Sequence, residues 1–441
     1  MNHGFAILGA LVTLAAVFSW INHRFLRWPT TIGLMIISMA FSVALVLLQW
    51  TGLGFERPIV DLLLSVDFDQ ALLHGMLGAL LFAGALHVKL DDLKRQRWMI
   101  LALSTAGVLI STILVGLGTW TISGLLGLDL PFLYCLLFGA LISPTDPIAV
   151  GAILKRLGVP PHTQTVIAGE SLFNDGVGVV LFIALLGVTA GGQEVRAGEI
   201  VELLAVEAGG GMLYGAILGW IAYHMLYRVD DYHVEILITL ALVTGGFAFA
   251  DVIHVSGPLA MVVCGIVIGN PGRAYAMSKR TRTELDSFWG LVDEFLNAVL
   301  FVMIGVEVLV LDLEVPSLEA GLLAIFLVLA ARWLSVSLPV IVLLGIDQWL
   351  DRLASTVVLP EGDMRAARRY APRAVALFTW SGLRGGISVA LALSLPAGHE
   401  RDVLLMMTYV VVAFSIIVQG LTVERVVARL MPGERGKNAG G

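Results

Sequence analysis

An all-α polytopic membrane protein is the fold class this sequence predicts, and three observations carry the prediction. Of 441 residues 58% are hydrophobic and only 14% charged, a composition far from that of a soluble domain. Apolar runs of about 20 residues, the length that crosses a bilayer, recur from end to end. The basic residues between those runs fall overwhelmingly on one side, as the positive-inside rule requires.

Taken in order, hydropathy places candidate spans at about 4–21, 29–50, 70–88, 98–124, 131–154, 164–189, 199–226, 234–252, 256–270, 286–311, 317–345, 373–396 and 402–424, which makes about 13. With the N-terminus outside and the C-terminus cytoplasmic, the inner segments carry 22 basic residues, from Arg24 and Arg27 to Arg435 and Lys437. The outer segments carry 3, Arg57, Arg196 and Arg401, while Arg332 and Arg384 fall inside spans. The first apolar run has basic residues after it and none before it, so it reads as a span rather than a cleaved signal peptide. No polar stretch is long enough to fold as a separate soluble domain. One integral domain over 1–430, followed by a short cytoplasmic tail at 431–441, is therefore expected. The 48 glycines suit close helix packing. Cys135 and Cys264 lie in apolar runs and read as packing residues, not redox groups or ligands.

Two spans contain breakers. The fifth holds Ser143-Pro144-Thr145-Asp146-Pro147, whose two prolines remove backbone donors and stop regular helix at bilayer depth. The twelfth holds Gly382-Leu383-Arg384-Gly385-Gly386, three glycines around a buried arginine. On the topology above the two run in opposite directions. Interrupted spans in corresponding, oppositely directed units point to an inverted-repeat transporter with its site where the broken helices cross.

The sixth span carries Gly169-Glu170-Ser171-Leu172-Phe173-Asn174-Asp175-Gly176. Ser171 and Asp175 stand four apart on one helix face, Glu170 and Asn174 four apart on the neighbouring face. Intramembrane carboxylates mark ion or proton paths, because lipid supplies neither water nor counter-charge. Asp175, Ser171, Thr145 and Asp146 form a hard oxygen set suited to a monovalent cation, with the cation expected at Asp175, Ser171 and Thr145. A carboxyl removed from water also holds protons more tightly, so cation and proton can compete for one group. Glu170 needs a buried partner, and Arg384 is the expected one, with Asn174 bonding nearby backbone or Asp146. Arg332 must find its own partner, Asp293 or Glu294 being possible. Asp251, His254 and Glu307 read as boundary residues, and His87 as an inner-boundary residue. The loop from about Asp347 to Arg373 is basic and is expected along the membrane surface.

At these residues the chain resembles the monovalent cation/proton antiporters of the NhaP and Na⁺/H⁺-exchanger type. The matching stretches are Ser143 to Pro147, Glu170 to Gly176, His254-Val255-Ser256-Gly257-Pro258, Gly382 to Gly386 and Val418-Gln419-Gly420-Leu421-Thr422. The resemblance implies that Asp175 binds either cation or proton, that Thr145 and Asp146 border the unwound crossing, that Ser171 is a ligand, and that Glu170 and Arg384 are a buried ion pair. The Asn174-Asp175 pair is similar to the electroneutral branch and implies one-for-one exchange. A homodimer is implied, in which an ion-transport core including about 98–190 and 317–424 moves against a dimerisation bundle made by the remaining helices. Many relatives carry a glutamate after the phenylalanine of the third span. Here Phe82 is followed by Ala83, so one oxygen ligand is missing or replaced.

The function expected is Na⁺ or Li⁺ exchange for H⁺ across a bacterial-type inner membrane, with no cofactor, no enzymatic activity and no nucleic-acid partner. K⁺/H⁺ exchange on the same scaffold is the alternative. A channel lacks a repeated carbonyl filter or charged ring in this sequence. An intramembrane hydrolase lacks a histidine near Ser171 or a zinc-type cluster.

Overall fold

A computed structural model describes residues 3–50, 71–146, 148–191, 197–306, 314–354 and 373–430. Pro147, Glu307, the residues 355–372 of the expected basic loop and the tail at 431–441 lie outside the described residues. The described chain is helical nearly throughout. In order the helices are α1 His3–Ile21, α2 Thr30–Trp50, α3 Leu77–Leu86, α4 Leu90–Ala102, α5 Val108–Leu126, α6 Phe132–Ile142, α7 Ile148–Arg156, α8 Pro161–Gly191, α9 Ala197–Leu226, α10 Tyr232–Val252, α11 Gly257–Val267, α12 Lys279–Val306 and α13 Val315–Ala354. They continue with α14 at 373–381, α15 Gly386–Leu393, α16 His399–Phe414 and α17 Gly420–Leu430. Among the described residues 10 helical stretches are long and apolar enough to cross a membrane.

Local chemistry sets many of the ends. The Asp231 side chain accepts the His233 N–H at 2.9 Å and opens α10, and Ser256 accepts the Leu259 N–H at 3.3 Å and opens α11. Pro258 follows in the first turn of α11, where its missing donor leaves no intrahelical bond unmade. Ser256-Gly257-Pro258, singled out in the sequence, is thus a helix start. α5 ends at Gly127, which takes the left-handed conformation at φ 68°. Helices also outlast the hydropathy signal. α12 begins at Lys279, before the expected 286, and α13 runs on through Asp347 to Ala354, where a loop was expected. Charged helix formers continue the backbone ladder once the chain leaves the apolar slab.

α5, α6, α8, α13, α15 and α16 pack on one another, with α4 against α8 and α7 against α17. Gly139 of α6 lies so close to the Thr112 backbone of α5 that a Cβ would not fit. A second group joins α9, α10 and α11, with α3 against α11, and α12 against α1, α2 and α3. α8 touches both groups, through α4 and α6 on one side and α9 and α11 on the other.

Candidate ion-binding site

The fifth apolar stretch is two half-helices, α6 and α7, and the twelfth is two more, α14 and α15. α6 stops at Ile142, just before Ser143 and Pro144, and α14 stops at 381, before the glycines. Between the half-helices the two strands of irregular backbone meet. The Asp146 N–H donates to the Leu383 carbonyl at 2.8 Å, an isolated antiparallel bridge. The two breaks expected from the sequence therefore meet, and their backbones run antiparallel where they do.

α8 braces the first break. Asn174 accepts the Thr145 N–H through Oδ1 at 3.3 Å and donates from Nδ2 to Thr145 Oγ1 at 2.9 Å. This is the backbone alternative expected for Asn174, and it replaces the bonds the broken helix gives up. The Ser171 and Thr145 hydroxyls share a hydrogen bond at 2.9 Å. α16 and α17 brace the second break. The π-helical turn Ser415–Gln419 between them brings Ser415 Oγ to accept the Arg384 N–H at 2.9 Å, and the Gln419 amide donates to the Trp380 carbonyl at 3.4 Å. Trp380 Nε1 donates to Thr422 Oγ1 at 3.1 Å. The Gln419-to-Thr422 motif is the clamp of the glycine break, a role sequence reading had not assigned.

Beside the crossing is a cavity of about 160 Å³. Asp175, Asp146, Thr145, Asp293 and Ser388 contribute its side-chain oxygen, and Leu77, Leu81 and Leu172 much of its apolar wall. Asp175 is 8% exposed, against 1% for Glu170 and Asn174 and 2% for Ser171. Ser171 stands behind Thr145, off the described wall. The third-span departure is also resolved in space. Ala83 packs with Phe82, Ala260 and Trp289, while Gly84 is the neighbour that lines the cavity.

The expected Glu170–Arg384 pair is not formed. Glu170 is instead held by Arg332 of α13, whose Nη1 and Nη2 donate to both carboxylate oxygens, Nη2 at 3.1 Å. This two-point contact also overturns Asp293 or Glu294 as partner for Arg332. Arg384 donates through Nη1 to the Ser143 carbonyl and, at 3.0 Å, to the Pro144 carbonyl. The physical reason is local: breaking α6 frees carbonyls beside Arg384, and the half-helix end they form is negative. The sequence signal for Arg332 was available, since it is a lone charge halfway along a long apolar helix.

A protein-family model described as "Sodium/hydrogen exchanger, transmembrane" matches residues 11–429. The chain belongs to that family. It is 44% identical over 432 residues to the Na(+)/H(+) antiporter NhaP of Pseudomonas aeruginosa, covering 97% of each protein. It is 34% identical over 441 residues to the Na(+)/H(+) antiporter NhaH of Halobacillus dabanensis, covering 97% of this chain and 99% of that one. The solved structure of the sodium proton antiporter MjNhaP1 from Methanocaldococcus jannaschii at pH 8 has the same fold, with a TM-score of 0.72 at 20% identity over 98% of this chain and 100% of that one. As an exchanger-family member the chain is an integral membrane transporter, not an enzyme.

Proposed function

We propose that this exchanger moves Na⁺ against H⁺ across a bacterial plasma membrane, one for one, by letting both compete for Asp175. The observation that carries the reading is the separation of two carboxylates five residues apart on α8: Glu170 is spent on Arg332, and Asp175 faces the cavity with Asp146 and Thr145. The Asn174-Asp175 pair, which resembles that of the electroneutral branch, supports the stoichiometry.

In this mechanism Asp175 takes the cation with oxygens of Thr145 and Asp146. Ser171 sets the direction of the Thr145 hydroxyl, and Asn174 holds the unwound backbone that carries it. Asp175 releases the cation when a proton arrives. The core around α4 to α8 and α13 to α17 moves against the other helices, which form the contact surface of a homodimer. Sodium is favoured over potassium because the relatives at 44% and 34% identity are both named for Na(+)/H(+) antiport. The oxygen set by itself does not choose ion size, and Li⁺ fits the same chemistry.

The test is proton movement in acid-loaded proteoliposomes after addition of Na⁺, Li⁺ or K⁺ to wild type and to Asp175→Asn. Wild type responds to Na⁺ and Li⁺, and the variant, folded but unable to titrate, does not. Robust exchange by the variant would falsify the mechanism. An imposed membrane potential leaves the wild-type rate unchanged if exchange is one for one, and a clear dependence on potential refutes electroneutrality.

A further inference from the structure

A second cavity, of about 1060 Å³, lies between α12 and the neighbouring ends of α1, α2, α7 and α17. Its wall includes Arg27, Arg156, Glu424, Glu294, Asp293 and Asn297. Arg156 is tied to Glu424 at 2.7 Å, which leaves Arg27 as the other cation and Asp293 and Glu294 as the other acids on that wall. Asp293 has a further property: it lines both this vestibule and the 160 Å³ cavity that Asp175 faces. It stands between the two spaces.

Asn297, one turn along α12, is 4% exposed. Its amide nitrogen donates to the Asp293 carbonyl at 2.8 Å and to Asp293 Oδ1 at 3.1 Å. Both donor directions are thereby used toward Asp293, and the amide oxygen is left over. Among the described residues that Oδ1 has no hydrogen-bond partner, although it is buried. An unpartnered buried acceptor is costly unless something electropositive reaches it. It points to a cation, because a carboxylate and an amide oxygen are the ligands a hard cation takes. Leu300, seven residues beyond Asp293 on the same face, lines the inner cavity, so the helix presents carboxylate, amide and cavity wall in succession.

We propose that Asp293 and Asn297 form a second, transient site for a partly hydrated monovalent cation, at the waist between the vestibule and the Asp175 cavity. The proposal rests on the Na⁺ exchange argued above. The site gathers the cation and passes it along α12, and it takes no part in the proton competition at Asp175.

The experiment compares wild type, Asp293→Asn and Asn297→Ala in proteoliposomes over a Na⁺ series, with choline chloride holding ionic strength constant. Loss of the Asp293 charge raises the KM for Na⁺ about five-fold, as expected for one unit charge at contact distance in a hydrated space, and the deficit closes at saturating Na⁺. Asn297→Ala raises KM by a smaller factor. A parallel binding measurement uses purified Asp175→Asn in detergent, where residual thermal stabilisation by Na⁺ reports the second site and disappears when Asp293→Asn is added. An unchanged KM in Asp293→Asn beside an active wild type, or a fall in maximal rate with KM fixed, overturns the second site and leaves the exchanger intact. Wild type that moves protons with none of the added cations sinks the Na⁺ reading and this site with it.

Discussion

The two interrupted helices are joined to each other yet built from opposite materials. The first break is made by proline, and it presents acceptors: the Ser143 and Pro144 carbonyls, the Thr145 hydroxyl and the Asp146 carboxylate. The second is made by glycine, and it brings a cation, Arg384, which answers the first break's carbonyls. Proline there removes donors so that oxygens are freed. The glycines serve space more than turning, since Gly385 takes an extended conformation open to other residues (φ -116°). A Cβ at Gly385 would sit 2.8 Å from the Asp146 Cβ, and one at Gly382 would sit 2.6 Å from Arg332 Nε. Each of these two glycines thus leaves room for a charged side chain, one from the first break and one from α13. An ion site in an apolar slab needs both devices, one that exposes oxygen and one that lets charges approach the backbone.

This comparison can be broken most forcefully at the arginines. Arg332→Ala leaves the Glu170 carboxylate buried without its partner, a loss of about 3–5 kcal/mol, read as a large fall in melting temperature in detergent. Arg384→Ala strands neutral carbonyls instead, at about 1–3 kcal/mol, so its melting temperature falls less. The reverse order would mean that Arg384 is the true counter-charge of Glu170. Gly385→Ala overpacks the crossing at about 1–3 kcal/mol and, by displacing Asp146, lowers Na⁺-driven proton movement. Gly382→Ala crowds the Arg332 guanidinium held on Glu170 and acts chiefly on melting temperature, with the milder effect on transport. If the two alanines behave alike, the glycines are not there for the charges. Arg156→Ala cuts an ion pair whose side chains are 63% and 50% exposed, and a change under about 1 kcal/mol is expected.

The two breaks were legible in the sequence because proline and glycine carry their geometry with them, and the spans were legible because a bilayer imposes length and polarity. Asp175, which lines the cavity, stood out for the same reason, as a carboxylate inside an apolar run. The partner of Glu170 was not. Two arginines lay inside spans, and no one-dimensional pattern says that α13 rather than α14 and α15 faces α8 at Glu170. One clue was physical and went unused: Arg384 sits in a broken helix beside freed carbonyls that need donors, whereas Arg332 lies inside a continuous helix, a full seven residues before its internal proline, Pro339. Ser415 and Gln419 were beyond reach because their role depends on a π-helical turn that hydropathy does not register. Asp293 was weighed only as a counter-charge, since its place between two cavities exists only once the helices are packed.

The bond from the Asp146 N–H to the Leu383 carbonyl lies wholly in the main chain. Replacing either residue with alanine leaves donor and acceptor where they are, so a side-chain scan that finds the Arg384 bonds to the Ser143 and Pro144 carbonyls passes over this second link between the two breaks. Only a change to the backbone itself, such as proline or an ester at position 146, removes it. One joint of the crossing is therefore hidden from ordinary mutagenesis and from ordinary sequence variation.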